Sequence, residues 1–186
     1  MFSICYEKEP ESMNDPFYAE GLRFACTGCS KCCRHEPGYV FLSSKDIFRL
    51  MDATGLAFRD FLVKFTRTVD SGTGYAISLK ETARFDCIFW KDGCTVYPAR
   101  PLQCSTYPFW ERIVETRASW LAEAEDCPGM NSGPLVSREK IDDLLARRRK
   151  DPPVLVPYGY TLETINENTI LGSSRITADT TDASES

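Results

Sequence analysis

Nine cysteines punctuate the chain: Cys5, Cys26, Cys29, Cys32, Cys33, Cys87, Cys94, Cys104 and Cys127. Four of them crowd into Cys26-x2-Cys29-x2-Cys32-Cys33, among the polar residues Thr27, Ser30, Lys31 and Arg34. A thiolate is a soft, negatively charged metal ligand. Two intervening residues let successive sulfurs turn toward one point while backbone N–H groups aim at them. Further along stand Cys87-x6-Cys94-x9-Cys104 and then Cys127-Pro128-Gly129. One loop thus offers four sulfurs and the remote half of the chain offers four more, enough for two four-thiolate sites or one polynuclear site with spare ligands. The expected ligands are Cys26, Cys29, Cys32, Cys33, Cys87, Cys94, Cys104 and Cys127. Cys5 is left over as the ninth thiol.

Two plainer readings compete. Free cysteine packs like a small hydrophobe, but inert burial does not explain four thiols in eight residues with polar neighbours. A disulfide framework fits poorly with an odd count, and adjacent Cys32 and Cys33 strain to bridge one another. Met1–Glu9 offers neither a basic start nor an apolar stretch of the signal-peptide kind. The expectation is therefore a cytoplasmic protein in a compartment that keeps thiols reduced.

The spacing leaves the metal open. Zinc is often held by two C-x-x-C knuckles, and a second knuckle is missing here. Bacterial ferredoxins use C-x2-C-x2-C-x3-C-P. This chain keeps the first three positions, has Cys33 in place of the fourth, and carries its Cys-Pro at Cys127-Pro128. The partial match tilts the reading toward iron or an iron–sulfur cluster, with zinc as the alternative. Because neighbouring side chains project in different directions, Cys32 and Cys33 are assigned to different sites or metals. A provisional partition sets Cys26, Cys29, Cys32 and Cys127 against Cys33, Cys87, Cys94 and Cys104. His35, the single histidine, reads as a surface or outer-sphere group.

Composition narrows the partners. A net charge of −5 argues against nucleic acid or an anionic membrane, both of which demand a basic surface. The one basic run, Arg147-Arg148-Arg149-Lys150, ends an expected helix and complements its dipole. No apolar stretch reaches the ~18 residues that span a bilayer. A dinucleotide G-x-G-x-x-G, a phosphate loop and a Ser-His-Asp set are all absent from the sequence. The partner expected is an unidentified protein or small molecule.

The elements that must position the thiols suit an α+β fold: a small cysteine-rich metal-binding domain with few short strands and about three helices. With 42% hydrophobic and 26% charged residues the chain supports one globular domain. Residues 1–20 read as a polar arm, 21–150 as the metal-chelating domain, and 151–186 as a polar extension, disordered from Thr177 onward. Strands are expected at Gly38–Leu42, Thr73–Leu79 and Cys87–Trp90. Ser43 with Asp46 begins a helix that Gly55 stops, and Phe58, Phe61, Leu62 and Phe65 mark the apolar face of a second. Tyr97–Pro101 is irregular or briefly helical because of its two prolines. Arg112–Thr116 leans to strand and the Ala/Glu-rich residues after it to helix. Ser137 caps a last helix with the face Ile141, Leu144 and Leu145.

Three segments together resemble a known family, the YkgJ-type cysteine-cluster proteins, a zinc- or iron-chelating domain with the signature CxxCxxCC. They are Phe24–Cys33, Cys94–Phe109 and Cys127-Pro128-Gly129. The family pattern is C-x-x-C-x-x-C-C, then a cysteine and an aromatic before R-P-x-x-C-x-x-[FY]-P, then C-P-G, and the match covers roughly residues 22 to 135. The resemblance implies a metal-chelating small domain, described for its members as zinc-finger-like or as an iron–sulfur oxidoreductase. Some relatives are linked to flagellin lysine methylation, which adds modification or metal-centre assembly as further roles. It carries over the eight cysteines with Arg100, Pro101 and Pro108. Beside that, a fixed guanidinium at Arg100 has a physical reading as a cofactor-binding group: it would offset thiolate charge or hold a carboxylate. Redox or protein-modifying activity and a non-catalytic zinc-stabilised interaction module both remain open, so the chain's status as an enzyme is undecided.

Overall fold

The computed structural model describes the backbone of residues 15–179 and the side chains of residues 15–173. Cys5, the arm before Asp15 and the chain after Asp179 lie outside the described residues. The architecture is α+β, as the sequence predicts, with two small antiparallel sheets and helices packed around them.

The first unit begins with α1, Ser44–Thr54. Its start is the capping box foreseen from the sequence. The Ser43 hydroxyl accepts from the Asp46 N–H at 3.1 Å, and the Asp46 carboxylate accepts from the Ser43 N–H at 3.1 Å. Gly55 ends the helix at φ 67°, a left-handed conformation that glycine adopts without a Cβ clash. α2, Phe58–Phe65, buries Phe58, Phe61 and Leu62, so its aromatic stripe is core. It runs directly into β2, Thr66–Asp70, which pairs antiparallel with β3, Tyr75–Leu79. β3 in turn takes β5, Leu155–Val156, on its other edge. Leu42, Ile47, Leu50, Phe61, Leu62, Ile77, Val156 and Ile170 form the first core.

The second unit is built on β1, Leu22–Phe24, paired with β4, Met130–Val136, through a register shift between Arg23 and Phe24. Three helices follow the prolines near residue 100: α3, Leu102–Thr106; α4, Glu111–Val114; and α5, Arg117–Asp126. α6, Arg138–Lys150, starts at Ser137, whose hydroxyl accepts from the Lys140 N–H, and it buries Ile141, Leu144 and Leu145 as the sequence predicts. With Tyr18, Phe109, Ile113, Trp120 and Met130 these residues make the second core.

Several local expectations are corrected. Cys87–Trp90 is not a strand: isolated bridges join Glu81 to Cys87 and Trp90 to Cys94, with turns between. Gly38–Leu42 contributes only a bridge from Phe41 to Ser78. Arg112–Thr116 is largely helical, within α4. Helices outnumber the three foreseen, because α3 and α4 are too short to show a period and α7, Glu167–Asp179, follows α6. The segment after Asp151 enters the first core through Val154, Val156, Ile165 and Ile170, and Tyr18 at the end of the arm enters the second. No helix of the described residues is long and apolar enough to cross a membrane.

Candidate metal centre

The cysteine loop is fixed at its start by the β1–β4 ribbon. Pairing of Phe24 with Met130 brings the residues just after β1 beside those just before β4. The Ala25 N–H donates to the Gly129 carbonyl at 3.0 Å, so Cys26 and the Cys127-Pro128-Gly129 turn share one end of the ribbon. Two glycines allow this approach. A Cβ on Gly129 would collide with the Ala25 carbonyl oxygen, and one on Gly133, at φ 77°, would collide with the Ala25 side chain. Farther on, Lys31–Cys33 forms a single 3₁₀ turn in which the Cys33 N–H donates to the Ser30 carbonyl at 2.8 Å.

The loop reaches the first unit through Cys33, whose carbonyl accepts from the Cys87 N–H at 2.8 Å. Asp86 beside it pairs with Arg34 at 3.1 Å, and that guanidinium lies 3.6 Å from the centroid of the Trp90 ring. Cys104 sits in α3, and buried groups hold that short helix. The Leu102 N–H donates to Asp46 Oδ1 at 2.9 Å. The Gln103 amide bridges the Tyr39 carbonyl at 2.7 Å and the Phe41 N–H at 3.0 Å. The capping carboxylate of α1 thus also anchors the helix that carries a cysteine.

These constraints open a cleft of about 470 Å³ where the two cores meet. Cys26, Cys29, Cys32, Cys33, Cys87, Cys104 and Cys127 all line it. Cys26, Cys29 and Cys32 are exposed along it, Cys33, Cys87 and Cys104 are half-buried, and Cys127 is buried. Cys94 is half-buried and packs against the first core, but its charge is felt at Cys87 and Cys104. Cys32 and Cys33 stand sulfur to sulfur at 3.7 Å, and all eight thiols are free.

The electrostatics show what the crowding costs. The hydrogen bond to Cys33, followed by burial, pushes the Cys32 thiol far above its ordinary value, and the nearby Arg100 pulls it partly back. Burial raises Cys104 strongly, with Cys87, Cys32 and Cys94 adding to it, and burial is also the main cause at Cys87. Without a cation among them these sulfurs keep their protons. A bound metal reverses that balance, because it deprotonates the thiol it binds. Among the described residues no three His, Cys, Asp or Glu side chains already form a metal site. The set fits a thiophilic metal by donor chemistry, with a shared wall from which the sulfurs would close on it.

The Cys127 turn lies at the ribbon end beside Cys26, and the Cys33 backbone is tied to Cys87. The Arg100 guanidinium stacks at 3.9 Å on Tyr97, and its carbonyl accepts from Arg49 Nη2 at 3.0 Å. His35 lines the cleft as an exposed residue at φ 77°.

The sequence reading missed an acid–phenol pair in the cleft. Tyr107 donates to Glu123 Oε1 at 3.0 Å, and burial, followed by the Glu123 charge, pushes its hydroxyl far above the ordinary value. Asp126 lines the same wall and pairs with Lys31 at 3.2 Å. The available signal was the spacing of Glu123 and Asp126, which puts both on one face of the helix that ends at Cys127.

Residues 25–128 match the family model described as "CxxCxxCC: Putative zinc- or iron-chelating domain". The chain belongs to this family, and as its member it is a zinc- or iron-chelating protein. No solved structure matches it.

Proposed function

We propose that the eight thiolates hold an iron or iron–sulfur centre that faces an open cleft and serves a redox or protein-modifying role. The supporting observation is the convergence of cysteines from four separate segments on one cleft whose 26–32 side stays open to solvent. A closed structural zinc site leaves no position for a reactant, whereas this wall keeps one. Thiolate-bound iron supplies one-electron transfer at a potential set by charge, hydrogen bonds and exposure.

The chain's own residues have separable tasks in this reading. Arg100 offsets negative charge at Cys32. Tyr107, hydrogen-bonded to Glu123, keeps its proton and offers a neutral hydroxyl at the cleft wall. The Trp110 and Tyr107 rings, packed edge-on at 5.3 Å, keep water from the Cys127 side. A reducing compartment, such as the cytoplasm, is the setting this requires.

A second reading is a zinc-stabilised interaction module without catalysis. It draws on the burial of Cys127 within the second core, where a metal would tie fold to ligand. Purification without oxygen, followed by metal and acid-labile sulfide analysis, separates the two. Iron with sulfide and broad visible absorption supports the first reading. Colourless protein with stoichiometric zinc overturns it in favour of the second.

A further inference from the structure

The shoulder of the cysteine cleft at Trp110 gathers cations that the rest of the fold leaves largely unanswered. Trp110 is half-buried and lines the cleft, and its Nε1 donates to the Gln103 carbonyl at 2.9 Å, which pins the ring. Two guanidiniums lie over that ring, Arg112 at 5.3 Å and Arg148 at 5.2 Å from its centroid. Arg148 turns inward from the run that ends α6 and is half-buried, and its Nη1 donates to the Thr106 hydroxyl at a long 3.4 Å. Among the described residues it has no carboxylate in ion-pair contact. Arg112 is exposed and reaches Glu123 only at 3.7 Å, beyond hydrogen-bond length. Arg149 completes the group by pairing at 2.9 Å with Glu111, the neighbour of Trp110, and both of these side chains are exposed. An ion pair so open to water contributes little and gives way easily to another partner.

We infer that this shoulder is the docking surface for an acidic segment of a partner protein, whose carboxylates pair with Arg112, Arg148 and Arg149 beside the cysteine cleft. This rests on the protein-modifying reading above and gives the partner its chemistry. Tryptophan and arginine, here with Tyr107 packed edge-on against Trp110 at 5.3 Å, are the residue types in which binding energy concentrates at protein interfaces. A guanidinium takes a carboxylate through two parallel hydrogen bonds, and stacking on an aromatic ring holds its fork in place for them. The basic patch is local. The chain as a whole carries a net charge of −5, which repels a polyanion such as nucleic acid and leaves a short acidic segment as the occupant that fits.

The test is fluorescence anisotropy of a fluorescein-labelled hexaglutamate peptide titrated at low salt with the full chain, purified without oxygen. Wild type is expected to bind it, more weakly as salt rises, and to leave a labelled hexaglutamine peptide unbound. R112Q/R148Q is expected to bind roughly tenfold more weakly, as for the loss of charge-assisted hydrogen bonds. R84Q/K91Q removes the same charge from turns of the first unit and is expected to match wild type. Wild type that leaves hexaglutamate unbound overturns the inference, as does equal weakening in the two double variants. A labelled DNA duplex bound more tightly than the peptide overturns it in favour of nucleic acid. If R112Q/R148Q does not fold, R112E, a change at an exposed side chain, carries the same comparison. Metal content of the same preparation is measured separately, so bound metal without peptide binding fails the docking surface and leaves the metal centre standing.

Discussion

Replacing Asp46 by alanine is expected to loosen the metal centre from a distance. The Asp46 side chain is 2% exposed, and its carboxylate accepts from the Ser43 N–H, the Leu102 N–H and Arg49. Alanine leaves two N–H groups without a partner in buried surroundings, at roughly 1–3 kcal/mol each, so the loss is about 2–6 kcal/mol. That is a large share of the ~5–15 kcal/mol by which a domain is stable. Urea unfolding of the metal-free protein measures it as a lower midpoint at unchanged slope. Asparagine keeps one acceptor and is expected to lose about half as much. Because Leu102 begins α3, D46A is also expected to speed alkylation of Cys104, located by peptide mass, relative to Cys127. A D46A midpoint equivalent to less than about 0.5 kcal/mol from wild type would refute the claim that this carboxylate joins α1 to α3.

Other outcomes follow from the same contacts. Burial holds the Asp46 carboxyl above its ordinary value against the pull of Leu102, Ser43 and Arg49. The native state therefore binds that proton more tightly than the unfolded chain. The stability it contributes is full below the ordinary value and is lost as pH rises through the raised one, so the advantage of wild type over D46N should shrink with rising pH in urea titrations. Gly133→Ala forces a left-handed residue against Ala25 and is expected to cost about 1–3 kcal/mol in the same assay, with Cys26 reacting faster toward alkylating agents. Hydrogen bonds from the Gly72 N–H and the Tyr158 hydroxyl hold the Asp70 carboxyl below its ordinary value. Tyr158→Phe should raise it, as seen in an NMR titration of the Asp70 side chain. By contrast, Lys140→Ala breaks only an exposed i,i+3 pair and should change stability by less than about 0.5 kcal/mol.

The parts of the fold legible in the sequence are those with local causes. Ser43, Asp46 and Gly55 define α1 through caps that need no tertiary partner, and the spacing from Phe58 to Phe65 gives α2 its buried face. The β1–β4 ribbon was hidden because β4 contains Gly133 and Pro134 and β1 is three residues long, so neither shows an alternating pattern. Cys87–Trp90 reads as strand by composition, but the chain turns there to bring Cys87 to the Cys33 carbonyl. Ile165 and Ile170 sit in a polar stretch whose burial depends on β5 reaching the edge of β3. At the site, cysteine spacing singled out thiols of which seven line one cleft, while their placement depends on Asp46, Gln103 and the ribbon. The inward turn of Arg148 within a basic run has no sequence signature.

The most direct measurement is thiol accessibility in protein purified without oxygen, before and after metal removal by a strong chelator. A thiol reagent with peptide mapping reports each cysteine separately. The expected result is that Cys26, Cys29, Cys32, Cys33, Cys87, Cys94, Cys104 and Cys127 are protected together in the metal-loaded protein and become reactive together when the metal leaves. Independent reaction of these cysteines at rates unchanged by the chelator would contradict it.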